Sequence, residues 1–142
     1  MVAMTFAPGG PVSADLRSVP AWYDQNAVTV MPDWHYRVPV TIPSGTFPNA
    51  TVKVDVDFAV LLAQVGVIGT FDVNSPRIVR STGALSTRQE FTDRVYAGAT
   101  DLAGNDRGEI RFLLEDSAGG GAVTYYLYFD ITQNGRKPAN PQ

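Results

Sequence analysis

The chain reads as an all-β protein, an antiparallel β-sandwich or jelly roll with at most one or two short helical turns. Three observations carry that reading. Apolar residues recur at every second position in several segments, turn signals come every 8–15 residues, and helical periodicity is nearly absent.

Residues 1–30 contain Pro8, Gly9, Gly10, Pro11 and Pro20. These break the segment into short extended pieces, so it reads as a wrapping arm or linker, with Trp22 and Tyr23 as its anchor. The first strand is "WHYRVPVTI", 34–42, where Trp34, Tyr36, Val38, Val40 and Ile42 alternate with His35, Arg37, Pro39 and Thr41. Proline cannot donate a ladder hydrogen bond, so Pro39 places this strand at a sheet edge or bulge. The turn "PSGTFPN" leads to "TVKVDVDF", with Val52, Val54, Val56 and Phe58 on one face and Lys53, Asp55 and Asp57 on the other. One buried and one wet face is an antiparallel habit.

"FAVLLAQVG" is apolar nearly throughout and reads as one or two helical turns closing an end of the core. Further strands are "PRIVRS", "RQEFTDRVY", "GEIRFLLE" and "AVTYYLYFDI". The glycine-rich joins "GNDRG", 104–108, and "DSAGGG", 116–121, have hairpin-loop composition. The domain so defined spans 31–133, and 134–142 reads as a departing linker.

Composition narrows the function classes. At 142 residues, 44% apolar and 18% charged, the chain is globular and one domain in size. A net charge of −3, with nine Arg and two Lys scattered among 14 carboxylates, argues against nucleic acid. No cysteine is present, which excludes disulfides, thiolate zinc and cysteine nucleophiles. No run approaches the ~18 apolar residues of a membrane span, so no membrane insertion is expected. The N-terminus lacks the basic start and long apolar stretch of a secretion signal, so a leader would be removed or belong to a larger precursor.

Catalysis finds little support. His35 is the sole histidine, lies mid-strand away from the core, and no G-x-S-x-G elbow is present. Asp55 and Asp57 have the spacing of a hydrolytic carboxylate pair, about 6–7 Å between Cβ atoms. Nothing in the sequence separates their acidities, and alternating Asp is ordinary patterning for a wet strand face. Glu115 and Asp116 sit where a strand enters a glycine loop.

Binding finds more. Asp101, Asn105, Asp106 and Glu109 cluster in "DLAGNDRGE", an oxygen-rich loop that suits a structural calcium; Asx turns explain the same residues without a metal, and no other cofactor is expected. On the last strand Val123, Tyr125, Leu127, Phe129 and Ile131 form one face, while Thr124, Tyr126, Tyr128 and Asp130 form the other. If the first set is core, Tyr126 and Tyr128 stand outside beside Asp130. Arg111 joins them if "EIRFLLE" pairs with this strand as a hairpin. Flat rings flanked by hydrogen-bonding groups suit a sugar. A cross-strand aromatic ladder, roofed by Trp22 and Tyr23, is the structural alternative.

"WHYRVPVTI", "VKVDVDF", "DRGEIRFLL" and "TYYLYFD" together resemble an uncharacterised family of bacterial extracellular domains that open W-x-Y-R-x-P-x-x-I and close Y-x-x-Y-F. The resemblance covers about residues 32–131 and leaves out the first 30. It implies a concanavalin-like sandwich within large modular secreted or cell-surface proteins, beside carbohydrate-active or adhesive modules. No catalytic residue carries over. Two functions follow as expectations. One is a non-catalytic carbohydrate-binding module whose partner is a polysaccharide or glycan. The other is a structural, assembly or adhesin spacer domain whose arm packs on a flanking domain or subunit.

Overall fold

A computed structural model of the chain describes residues 2–5, 33–93, 95–96, 99–100, 106–116 and 118–139, with backbone alone for 2–5, 93, 95–96 and 99–100. The strands are β1 (Val2–Thr5), β2 (Tyr36–Ile42), β3 (Thr51–Asp57), β4 (Arg77–Val79), β5 (Gln89–Asp93), β6 (Val95–Tyr96), β7 (Ala99–Thr100), β8 (Arg107–Leu113) and β9 (Val123–Phe129). Among the described residues one α-helix, α1 (Phe58–Gln64), follows β3 directly, and one 3₁₀ turn spans Thr132–Asn134. The described residues are therefore mostly β, as the alternation requires.

Two larger sheets run β1-β3-β8-β5 and β2-β9-β4, and β6 pairs with β7. Every pairing is antiparallel except β1 with β3, where Val2 faces Val52 and Thr5 faces Asp55 in parallel register. Strand β2 is an edge, and Pro39 sits there opposite Tyr126, as a residue without an N–H should.

Period 2 sorts the side chains. Val52, Val54 and Val56 of β3, with Ile110 and Phe112 of β8, turn inward. They meet Val38, Val40 and Ile42 of β2, Ile78 of β4 and Tyr125, Leu127 and Phe129 of β9 in one apolar cluster shared by both sheets. Gln89 of β5 ties the sheets together at the polar level. Its side-chain oxygen accepts the Ile78 N–H at 2.6 Å, and its amide nitrogen donates to the Ile78 carbonyl at 3.0 Å. The buried amide thus acts as a short substitute strand for the outer edge of β4.

The helix confirms the reading of the apolar run. Asp57 caps it by accepting the Val60 N–H at 3.0 Å. At the other end Gly66 takes φ +67°, while Gly66 N–H reaches Ala63 O and Val67 N–H reaches Leu62 O. That pair of bonds is a Schellman stop, which a glycine accommodates without strain. Phe58, Leu61 and Leu62 are buried and close one end of the core.

Two expectations are corrected. First, β8 does not pair with β9: it lies between β3 and β5, while β9 is the centre of the other sheet. The loop 114–122 therefore crosses between sheets and is no hairpin. It is zipped to the β2–β3 turn by Gly45 N–H to Ala118 O, Asn49 N–H to Leu114 O and Leu114 N–H to Ala50 O. Second, Gly108 is a strand residue of β8. A Cβ there would lie 2.5 Å from the Thr92 carbonyl oxygen and collide with the Phe91 ring. Gly108→Ala is expected to cost about 1–3 kcal/mol, read as a lower unfolding midpoint by circular dichroism; an unchanged midpoint would show that β5 can yield. Both ends also make contacts with the domain. Residues 2–5 form a strand of the larger sheet, and Lys137 and Pro138 are bonded into the domain.

Candidate functional site

The outer face of β2-β9-β4 carries the tyrosines, on the side that alternation assigned to them. It is not open along its whole length. Tyr128 is 1% exposed, packed with Trp34 and Val79 in a second apolar cluster. Arg37, cross-strand from Tyr128, donates to its hydroxyl at 3.1 Å. Its guanidinium carbon lies 4.8 Å from the Tyr126 ring centroid and 5.9 Å from that of Tyr128. Tyr126 is half-buried, and the cation stacked on it competes for the ring face a sugar would need. The expected open platform of two tyrosines is thus corrected to one half-covered ring. Trp22 and Tyr23 lie outside the described residues.

Asp130 is wholly buried and lies at the centre of a polar knot. It accepts from His35 Nδ1 at 2.8 Å, Lys137 Nζ at 3.0 Å, Asn134 Nδ2 at 2.8 Å and the Ile131 N–H at 2.9 Å. Burial works against its charge, but these donors outweigh it and hold its carboxyl below the usual aspartate range. Trp34 lies within reach of two cations, 5.5 Å from Arg77 and 5.3 Å from Lys137, and its indole N–H donates to Ser75 O at 2.7 Å. Arg77 donates to the carbonyls of Asn74, Pro76 and Pro138, and Asp72 accepts the Lys137 N–H at 2.6 Å. The His35–Asp130 pair has the form of a base and its orienting acid. The hydroxyl in the same network, Ser75 Oγ, donates to Asp72 O and accepts the Asp130 N–H, so it is spent on the backbone. The knot fastens the Trp34–His35, Asp72–Arg77 and Asp130–Pro138 segments to one another.

A second network fixes the inter-sheet loop. Arg80 pairs with Asp116 and Glu115, and the Tyr125 hydroxyl donates to Asp116 at 2.7 Å while accepting the Glu115 and Asp116 amides. Burial, and then the bond to Asp116, push the Tyr125 phenol up to about 12. Neither network has a local sequence signature, because Asp72 and Lys137, or Arg80 and Asp116, are joined only by the fold.

The acids of the other sheet are also committed. Asp57 caps α1 and pairs with Arg107 at 2.9 Å. Glu109 is held by Lys53 at 2.6 Å and by Arg111 Nε. With both oxygens on cations, Glu109 is a poor calcium ligand; Asp106 is described, whereas Asp101 and Asn105 lie outside the described residues. Among the described residues no group of three or more His, Cys, Asp or Glu is arranged to hold a metal.

Arg111 does not join the tyrosines. It stands on the outer face of the four-stranded sheet, opposite Glu90 of β5 and Lys53 of β3. There it lines a hollow of about 650 Å³ with Thr51, Arg88, Gln89, Glu90, Phe112 and Leu113. The registers explain the assembly. Glu90, Arg111 and Lys53 form one cross-strand row, and Leu113 pairs with Thr51 in the next, where its N–H also bonds Arg88 O at 3.0 Å. Arg88 is exposed, and its guanidinium has no bonded partner among the described residues. Among the described residues, Arg111 adds to its bond to Glu109 a 3.9 Å approach to Glu90. Arg88, Glu90 and Thr51 were missed from sequence because Arg88 and Arg111 become neighbours only through the β5–β8 pairing.

No protein-family model matches the chain, and no curated protein or solved structure is significantly similar to it.

Proposed function

We propose that the chain is a non-catalytic carbohydrate-binding module of a secreted or cell-surface bacterial protein, built as a jelly-roll or concanavalin-like sandwich, whose ligand surface is the outer face of the four-stranded sheet. One observation supports this above the rest. The 650 Å³ hollow sets hydrogen-bonding side chains, Thr51, Arg88, Glu90 and Arg111, around the apolar side chain of Leu113. Its size is within the range of about 300–1,000 Å³ usual for small-molecule sites. A pyranose offers that chemistry in reverse, with a C–H face for the leucine and hydroxyls for the polar rim.

Calorimetry or affinity electrophoresis across alginate, laminarin, agar and xylan tests the reading. Binding of at least one polysaccharide is expected, lost in Arg111→Ala and kept in Tyr126→Ala. Flat responses across the panel would sink it.

A second reading has its own observation. Strand β1 adds in parallel to the free edge of β3, the mode by which an arm joins a sheet edge in an assembly. Under that reading the same strand would serve a neighbouring copy or domain. Light scattering on the full chain and on residues 31–142 decides it: two monomers of equal stability count against an assembling arm.

A further inference from the structure

We propose that the hollow on the four-stranded sheet selects an acidic saccharide, with the carboxylate of a uronic acid unit taken by Arg88 and Arg111. The inference rests on the carbohydrate-binding reading and adds the ligand's charge to it.

The hollow is lined by two guanidinium groups and one carboxylate, Glu90, so it is locally cationic in a chain of net charge −3. The two cations differ in what already holds them. Arg111 is anchored through Nε by Glu109, itself fixed by Lys53, and stands only within 3.9 Å of Glu90. Its orientation is therefore set before any ligand arrives, with donor capacity to spare. Arg88 has no ionic or hydrogen-bonded partner among the described residues and is the group that a ligand's charge would satisfy. A guanidinium meets a carboxylate with two parallel N–H donors, a match that hydroxyls alone do not give. The next cross-strand row supplies Leu113 for the C–H face of the ring and Thr51 for a hydroxyl. A neutral sugar would find the leucine and the hydroxyl partners but leave the charges of the two guanidinium groups unmatched.

The test uses the full chain, titrated by calorimetry with short oligouronates cut from alginate and with laminarin oligosaccharides of matched length. The oligouronate is expected to bind about tenfold or more tighter, with the preference shrinking as salt screens the charges. Arg88→Ala should remove the preference, bringing the oligouronate affinity down to that of the laminarin oligosaccharide, while the thermal midpoint stays unchanged, since the Arg88 side chain has no partner among the described residues to lose. Equal affinity for the two probes, or a preference that survives in Arg88→Ala, overturns this inference and leaves the carbohydrate reading standing. Binding of neither probe, nor of any polysaccharide in the wider panel, overturns both.

Discussion

Replacing Asp130 by alanine is expected to lower the unfolding midpoint by about 10–20 °C. The carboxylate is fully buried and bonded to His35, Lys137, Asn134 and the Ile131 amide. Lys137, itself 8% exposed, would be left with its charge in the interior, where the described residues offer Nζ the Gly135 carbonyl and the face of the Trp34 ring but no counter-charge. Removing one member of a buried pair costs about 3–5 kcal/mol, most of it from the stranded charge. For a chain of this length each kcal/mol moves the midpoint by about 3–4 °C. Lys137→Met added to Asp130→Ala should recover part of the loss, because the orphaned cation is gone. A drop of under about 1 kcal/mol in the single variant would mean that water reaches the site and the knot is ornamental.

The same group sets a pH signature. The carboxyls of Asp130, Glu109, Glu115 and Asp116 are all held below their ordinary values. For Asp116 the Arg80 bond is the leading cause; for the other three, burial opposes the shift and is outweighed by donors. A depressed folded pKa means that the unfolded chain takes up protons first as pH falls. The stabilisation is therefore complete above about pH 5 and is lost through and below the unfolded values near 3.9 and 4.3. Thermal midpoints should be flat from neutrality to about pH 5 and fall steeply below, less steeply in Asp130→Ala.

Phe58→Ala is the second large effect, about 3–5 kcal/mol. Phe58 is fully buried where β3 passes into α1. Its ring stacks on Phe71 at 4.1 Å between centroids and meets Phe129 at 5.1 Å and Phe91 edge-on at 5.7 Å. Those partners belong to both sheets and to the 71–72 segment, so no single neighbour can relax into the space. The urea midpoint should fall with the slope m unchanged, because the surface exposed on unfolding is nearly the same. A shift equivalent to under about 1 kcal/mol would indicate collapse of the site around the missing ring.

How much of this was legible depends on the range of the interaction. The inward residues of β2, β3 and β9 followed from alternation alone, since a pleat sends successive side chains to opposite faces. Pro39 marked the edge because its missing N–H is a property of the residue itself. The helix after Asp57 was legible as an apolar run too dense for a half-wet strand. What failed was partnership. Strands β8 and β9 are consecutive, yet nothing local records that the loop between them crosses to the other sheet. Arg111 was consequently placed beside the tyrosines. Tyr128 was given the right face and the wrong exposure, because its cover comes from Trp34, Val79 and Arg37, all remote in sequence. The hollow was invisible for the same reason, as its two arginines meet only across a strand pairing.

The fastening of residues 137 and 138 has a mechanical consequence. Tension applied to the chain beyond residue 139 reaches the Arg77–Pro138 and Asp72–Lys137 bonds before it reaches β9. Those bonds bear on Trp34 and β4, so the pull is shared between a remote strand and the last one instead of peeling β9 from its end. A probe gripping this end should meet a first yield at the clamp, separate from and weaker than the rupture of the sheets.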